Sequence, residues 1–177
     1  GDGNDNWVYF TTPTPNSSNN TVSYIDFIED EPIFSLHGGF YNELIKIWIN
    51  NDIEGEIHYT VDGSEPNINS NILSDSITID STMIIRARIF KSNFIPSKTI
   101  THTYFINESF ETRKLPVFSI SSKPENFWGE ETGLYVQDFK PDWEYPINIE
   151  FFENNGDLGF NETATIRIVG DLSWQLP

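Results

Sequence analysis

The amino-acid sequence predicts an all-β protein whose larger part is an antiparallel β-sandwich. Two runs, at residues 45–49 and 83–89, alternate their side chains with the period of two that half-buried strands require. Clusters of Asn, Asp, Gly and Pro separate these and other short runs, which recur roughly every 8 to 12 residues, as in sandwich folds. No segment has a helical periodicity long enough to connect parallel strands. An antiparallel arrangement is therefore expected.

Three further strands complete the predicted sandwich, and turn-forming residues bound each of them. Residues 56–61 alternate, residues 76–79 form a shorter run, and a last strand is expected at about residues 97–106. Turn formers at residues 62–67 follow the first of these strands, and the loop at residues 91–96 precedes the last.

A second β-rich segment begins near Leu115. Asn155 and Gly156 lie between two alternating runs, and an Asn-Gly pair in this position is a strong signal for a β-hairpin. The predicted strands of the segment lie at residues 117–121, 133–136, 146–153 and 160–169, with a loop at 124–132. Because such a segment leaves strand edges and apolar faces unpaired, we expect it either to dock on the sandwich or to associate between chains.

These patterns divide the chain into three parts. Residues 1–31 are an N-terminal segment and linker, since the polar run at residues 11–20 contains two prolines that favour extended or turn conformations. Residues 32–107 are the sandwich. Residues 108–177 are expected to be a smaller antiparallel β segment that forms only part of a domain.

The charge balance limits the partners that the protein can have. Its 177 residues include 27 Asp and Glu but only 10 Lys and Arg, which gives a formal net charge of −17. Such a chain repels phosphate backbones and anionic lipid surfaces, so neither nucleic acid nor membrane insertion is expected. Cysteine is absent, which excludes disulfides and thiolate chemistry. The N-terminus is polar, so any signal peptide would lie upstream of it.

One string of residues resembles a known family. The run Tyr-Thr-Val-Asp-Gly-Ser-Glu-Pro at residues 59–66 and the strands around it are similar, over roughly residues 32–107, to the chitobiase/β-hexosaminidase C-terminal-type domain. The resemblance implies an immunoglobulin/fibronectin-like antiparallel sandwich that serves as an accessory and not as a catalytic centre. In such a fold Tyr59 and Val61 would point into the sandwich, and Ile85 would line the facing sheet.

The flanking segments resemble two other families. Runs such as residues 115–120 and 166–170 are similar in order and spacing to the opening of spore-coat-protein-H-like (CotH) domains, and residues 7–16 resemble the closing strand of lamin-tail-type domains. CotH proteins are secreted or on the cell surface, and some are kinases that use ATP and a divalent metal. The residues of that chemistry would lie beyond Pro177. Together the resemblances imply a middle part of a larger exported bacterial protein.

Residues with catalytic or metal-binding chemistry are scattered in this sequence. His37, His58 and His102 are far apart, and neither a nucleophile motif nor a phosphate-binding loop is present. Ordinary strand and loop positions are the expected places for these histidines. The sequence therefore predicts no catalytic residue, no metal site and no cofactor, and the protein is not expected to be an enzyme.

Large aromatic side chains are the better candidates for binding. A sugar ring stacks on a flat apolar ring beside amides and carboxylates, and Trp48, Trp128 and Trp143 lie at positions where a ring could be exposed. Such rings more often pack between domains, which is the competing interpretation.

The sequence is compatible with three functions. The first is a non-catalytic accessory, interaction or spacer module of a larger secreted or cell-surface protein. The second is a carbohydrate-binding module, and the third is a truncated portion of a CotH-type kinase. The expected partners are the remainder of the parent chain, a surface protein or glycan, or a second copy bound through the C-terminal β segment.

Overall fold

The computed structural model describes residues 7–10, 12, 14–18, 21–108, 115–135 and 142–169. Within these ranges the protein is almost entirely β-strand, which confirms the predicted class. The strands are β1 (Tyr9–Phe10), β2 (Ser23–Tyr24), β3 (Asp26–Phe27), β4 (Ile33–Phe34), β5 (Gly39–Tyr41), β6 (Ile45–Ile47), β7 (Ile49–Asn50), β8 (Glu56–Thr60), β9 (Asn71–Ile72), β10 (Ile77–Ile79), β11 (Met83–Phe90), β12 (Phe94–Ile95), β13 (Ile100–Ile106), β14 (Val117–Ser121), β15 (Tyr145–Phe152) and β16 (Leu158–Ile166). A short helix, α1 (Pro124–Trp128), lies between β14 and β15.

A five-stranded sheet forms one layer of the sandwich, in the order β5-β13-β11-β8-β9. The strand pairs β4–β7 and β6–β10 supply the other side of the core. Apolar side chains from both sides interleave and are almost completely buried, because alternate residues of each strand face inward. The core residues are Ile28, Phe34, Ile47, Ile49, Ile57, Ile79, Ile85, Ala87, Ile89, Tyr104 and Ile106.

The predicted strand over residues 45–49 is present as two shorter strands. Ile47 of β6 pairs with Ile77, whereas Ile49 of β7 pairs with Phe34, so the chain changes partner at Trp48. The backbone N–H of Trp48 donates to the hydroxyl of Ser35, so this N–H has a hydrogen-bond partner at the point where the chain passes from β6 to β7.

Two expectations for the sandwich are wrong in detail. Val61 is about half exposed, because β8 ends at Thr60 and the turn that follows carries Val61 out of the sheet. Ile85 lies on β11, which pairs directly with β8, so Tyr59 and Ile85 belong to one sheet and not to facing sheets. Tyr59 does pack against the core.

The sandwich is also not purely antiparallel. β5 runs parallel to β13 at the edge of the five-stranded sheet, and β12 runs parallel to β3. Both parallel pairs join strands that are far apart in the sequence, for which the local turn signals carry no information. The alternating pattern therefore predicted the strands but not the direction of these two pairings.

The C-terminal segment forms a three-stranded antiparallel sheet in the order β14-β15-β16. The predicted hairpin is confirmed, with Gly156 at a positive φ of 90° in the turn between β15 and β16. The predicted strand at residues 133–136 is wrong where the structure describes it. Residues 133–135 are held in turns, since the N–H groups of Leu134 and Tyr135 donate back to carbonyls of α1.

The predicted loop at residues 124–132 contains α1. Pro124 stands at the start of this helix, where its fixed φ suits the first turn and its missing N–H costs nothing. Near the N-terminus, β1 and β2 form a small antiparallel pair around the polar linker. No helix in the described part of the chain is long and apolar enough to cross a membrane.

Candidate functional site

The site with the most unusual chemistry is the contact between the sandwich and the C-terminal sheet. Glu150 of β15 is almost completely buried there. Its Oε1 accepts a hydrogen bond of 3.2 Å from the backbone N–H of Thr103 on β13, and its Oε2 accepts one from the hydroxyl of Thr103. The Thr103 hydroxyl also lies 2.7 Å from the hydroxyl of Ser119 on β14. A carboxylate of one sheet is thus bound by the backbone and side chain of the other.

Burial determines the protonation of this carboxyl group. Removal from water disfavours the charged form and raises the pKa of Glu150 to about 6, although the hydrogen bonds from Thr103 act in the opposite direction. Gly38 permits the close approach of its own loop to this site. A Cβ at Gly38 would lie 2.8 Å from the carbonyl oxygen of Thr103 and 3.0 Å from Oε1 of Glu150.

His102 lies beside Glu150, and a second histidine, His37, packs against His102. The rings of His37 and His102 are in edge-to-face contact with centroids 5.2 Å apart, and Nδ1 of His102 lies 3.9 Å from Oε1 of Glu150. Burial, with a smaller effect of His37, lowers the pKa of His102 to about 4. The imidazole is therefore neutral at neutral pH, and its contact with Glu150 is not an ion pair.

A second contact between the two parts is made by the turn after β8. Gly63 has a φ of +85°, and a Cβ there would lie 2.5 Å from the carbonyl oxygen of Ser122. The buried guanidinium of Arg86 holds this turn, with Nη1 donating to the carbonyl of Gly63 at 3.0 Å and Nη2 2.6 Å from a carboxylate oxygen of Glu65. Asp62 accepts hydrogen bonds from Ser64, which lower the pKa of Asp62.

Aromatic packing completes the contact. Phe152 of β15 is fully buried, and its ring meets Phe40 and Phe105 edge-to-face at centroid distances of 5.7 and 5.4 Å. The amide of Asn161 on β16 donates to the carbonyl of Thr101 at 2.7 Å. The docking of the C-terminal segment on the sandwich, one of the two arrangements expected from the sequence, is therefore present.

The tryptophans predicted to bind ligands lie in different environments. Trp48 is half exposed on the face of the sandwich opposite to the core residues that flank it in sequence, and Trp143 is half-buried. Trp128 is 70% exposed at the end of α1 and stacks on Tyr135, with ring centroids 4.8 Å apart and planes within 21°. The three tryptophans belong to separate segments, and only Trp128 is part of an exposed stack.

Several residues of interest were missed by the sequence prediction. Glu150 belongs to no motif, and because it alternates with Ile149 and Phe151 the pattern places its side chain on the solvent face. His102 was expected at an ordinary strand position, and its contacts with His37 and Glu150 were not predicted. Tyr135 was placed on a strand and is instead the stacking partner of Trp128. His58 occupies an ordinary strand position, buried beside Phe90.

The described residues offer little to a metal ion. No group of three or more His, Asp or Glu side chains in these ranges is placed to hold one. The geometry instead defines a class of protein: an all-β, immunoglobulin-like module to which a three-stranded sheet is fixed through buried polar and aromatic contacts.

Comparison with known proteins agrees with this class and makes it more specific. Residues 36–101 match the family described as the chitobiase/beta-hexosaminidase C-terminal domain, so this segment is similar to domains of that type. The match ends within β13, before the C-terminal sheet begins. The search of curated proteins gave no match, and none of the solved structures matches. The CotH and lamin-tail resemblances gain no support from these comparisons and stay predictions.

Proposed function

We propose that this protein is a non-catalytic accessory module that holds the C-terminal sheet, and whatever follows it, at a fixed orientation in a larger secreted or cell-surface protein. Domains of the chitobiase C-terminal type are typically non-catalytic modules of larger proteins. The observation that carries the proposal is the buried contact of Glu150 with Thr103, because a directional contact of this kind disfavours rotation between the two parts.

Two further contacts support a rigid connection. Gly63 packs against Ser122, and Phe152 packs edge-to-face against the stacked rings of Phe40 and Phe105, so polar, backbone and aromatic contacts are spread over the interface. A flexible linker would show none of these contacts between its flanking parts. The proposed location outside the cell rests on the family resemblances and the acidic composition.

Rigidity can be measured directly because the chain contains no cysteine. Spin labels attached at Lys46→Cys on the sandwich and Thr163→Cys on β16 report one distance between the two parts. We expect a single narrow distance distribution. A broad distribution, with the circular dichroism of the variant unchanged, would contradict the spacer role, and ATP-dependent phosphorylation by the purified chain would contradict the non-catalytic role.

A second candidate function is carbohydrate binding at Trp128. One face of its indole is covered by Tyr135, while the high exposure of the side chain leaves the other face in solvent, where a pyranose ring can extend the stack. Glu125 is on the same helix, and its carboxylate, 3.7 Å from Nζ of Lys123, is exposed and can accept hydrogen bonds from sugar hydroxyls.

Affinity electrophoresis in gels containing soluble polysaccharides tests this second function. Trp128→Ala and Tyr135→Ala should each abolish any retardation, whereas Tyr135→Phe, which keeps the ring, should preserve it. Trp48→Ala tests the exposed tryptophan of the sandwich separately. Equal retardation of the parent protein and of the Trp128→Ala variant would eliminate Trp128 as the sugar-binding residue.

A further inference from the structure

The outer face of the C-terminal sheet carries a row of aromatic rings. Phe118, Phe151 and Phe160 stand side by side on β14, β15 and β16, at matched positions of the strand register. The centroids of the first two rings are 4.7 Å apart, and those of Phe151 and Phe160 are 5.4 Å apart. Phe118 remains 56% exposed and Phe160 40%. The sheet thus presents a continuous apolar row to solvent.

Gly159 is part of this surface. A Cβ at this position would lie 2.8 Å from Cδ1 of Phe151, so the absence of a side chain lets the Phe151 ring lie against the backbone of β16. Ile120 lies on the same face of β14 as Phe118, is 41% exposed and adds to the apolar area. We call the surface formed by Phe118, Ile120, Phe151 and Phe160 the aromatic row.

The ring geometry favours a peptide over a sugar at the aromatic row. Coplanar rings would hold their centroids roughly 6 Å or more apart, because ring carbons in contact lie roughly 3.5 Å from each other. Phe151 and Phe160 are nearly parallel at 5.4 Å, so they are offset face to face and do not form one flat plane. A sugar stacks on flat exposed faces, whereas ring edges and partial faces pack well against aliphatic side chains.

The strand beside the aromatic row has a free edge. β16 is nine residues long and is the last strand of its sheet, so no strand in the described ranges pairs with its outer side. It contains neither Pro nor Lys, the residues that commonly protect exposed edges. Unpaired N–H and C=O groups along such an edge can accept another extended chain by strand addition.

The charge around this sheet selects the partner. Residues 115–135 and 142–169 contain nine Asp and Glu but only two basic side chains, and Glu162 lies on the same face as Phe160. An acidic partner, including a second copy of this chain with its net charge of −17, would be repelled. A chain with Lys or Arg would be attracted, and the effect would weaken with salt.

We propose that the free edge of β16 and the aromatic row form a docking site for a basic extended peptide segment of a partner protein. The segment adds as a fourth strand beside β16, its aliphatic side chains cover the aromatic row, and its basic side chains lie near Glu162. The inference rests on the proposed accessory role of the module. The spin-label distance across the module tests that role independently of peptide binding.

The test uses 15N-labelled protein and three synthetic twelve-residue peptides. The first alternates Lys and Val, and the second alternates Glu and Val. The third is the Lys-Val peptide with its backbone N-methylated at every residue, so that neither edge can donate hydrogen bonds to a strand. We expect the first peptide alone to shift the β16 amide signals and to protect them from hydrogen exchange. Binding of the first peptide should weaken at least about threefold between roughly 50 and 300 mM salt, because salt screens the attraction between its lysines and the acidic sheet.

Two variants separate the components of the site. Phe118→Ser changes only an exposed ring of the aromatic row and should weaken binding of the Lys-Val peptide about tenfold, which corresponds to roughly one good hot-spot contact. Glu162→Gln should reduce the salt dependence. Trp48→Ala, which removes an exposed ring from the sandwich, is the matched control and should leave binding unchanged.

Several outcomes would overturn the proposal. If the Glu-Val peptide bound as tightly as the Lys-Val peptide, the preference for a basic partner would be contradicted. If the N-methylated peptide bound as tightly, binding by strand addition would be contradicted. Absence of binding by the Lys-Val peptide to the folded protein would remove both. Sedimentation equilibrium that shows a dimer lost in Phe118→Ser would assign the surface to a second copy, and protection of β16 by an oligosaccharide in place of the peptide would assign it to a glycan.

Discussion

The backbone N–H of Thr103 donates a 3.2 Å hydrogen bond to Oε1 of Glu150, and this contact joins the central sheet of the sandwich to the sheet that follows it. Both residues are buried, so the carboxylate has exchanged water for two donors on one neighbouring residue. A charged group in this position costs free energy even when it is hydrogen-bonded. Its retention fits a role in orientation better than a role in stability.

Replacing Glu150 with Gln should stabilise the protein above pH 6. The folded-state pKa of about 6 lies above the usual value of 4.5, so the folded protein favours the protonated form. Stability is then fully present below about pH 4.5 and is lost as pH rises through 6. The neutral amide avoids this loss, and urea unfolding at pH 7.5 should show a gain of about 2 kcal/mol from the shift of 1.5 units.

The same variant should show no gain at pH 4, where Glu150 is already protonated in both states. Gln retains an acceptor for the N–H of Thr103, so the interface should keep its geometry. A loss of stability at pH 7.5 would show that the charge strengthens the contact by more than its burial costs.

Replacing His102 with Phe should make the protein more resistant to acid. The pKa of His102 falls from 6.5 to about 4 on folding, so the folded protein favours the neutral ring, and stability is lost as pH falls from 6.5 towards 4. His37, Glu150 and Tyr104 are the titratable groups that face this ring. A phenyl ring cannot be protonated, and the loss between pH 7 and 4 should shrink by about 3 kcal/mol.

Unfolding in urea at a series of pH values measures this effect. His58→Phe is the matched control. His58 on β8 is also buried, but it packs beside Phe90 of β11, away from the interface with the C-terminal sheet. If the free energy of unfolding depended on pH in the same way for His102→Phe and for the parent protein, the lowered pKa of His102 would be contradicted.

Replacing Gly63 with Ala should destabilise the protein by about 3 kcal/mol or more. The φ of +85° disfavours any side chain, and the added Cβ would lie 2.5 Å from the carbonyl oxygen of Ser122. Gly156→Ala, at a φ of +90° in the β15–β16 turn, isolates the backbone strain and should cost roughly 1–2 kcal/mol. If urea unfolding showed the same loss of stability for both variants, the carbonyl of Ser122 would be able to move away from the added Cβ at no cost in free energy.

Alternation of side chains predicted most strands because it depends only on which face of a strand is buried. The hairpin around Gly156 was predicted for a similarly local reason, since a tight turn needs a residue that adopts a positive φ, as Gly156 does. The prediction of a strand at residues 133–136 was wrong because a short apolar run after a glycine has the same composition in a strand and in a turn. Pro124 suits both a loop and a helix start, so α1 was predicted as a loop.

The interface could not be predicted because its partners are distant in the sequence. Glu150 lies between Ile149 and Phe151, where an alternating strand of a one-sided sheet would place it in water. Its burial depends on Thr103 of another sheet, 47 residues away. For the same reason the Asp-Gly-Ser turn indicated the family of the sandwich but not that Gly63 contacts Ser122.

Replacing Arg86 with Lys should cost about 2 kcal/mol, because a single ammonium group cannot satisfy all the acceptors that the guanidinium reaches. Nε donates to the hydroxyl of Thr101 at 3.1 Å, Nη1 to the carbonyl of Gly63, and Nη2 lies beside the carboxylate of Glu65. Arg88→Lys is the matched control on the same strand. Its guanidinium is more exposed and donates to the carbonyl of Ser97 at 2.6 Å, so the loss there should stay below about 1 kcal/mol. Urea unfolding of both variants at pH 7 compares the two positions, and a loss for Arg86→Lys no larger than that for Arg88→Lys would contradict the role of Arg86 in holding the turn.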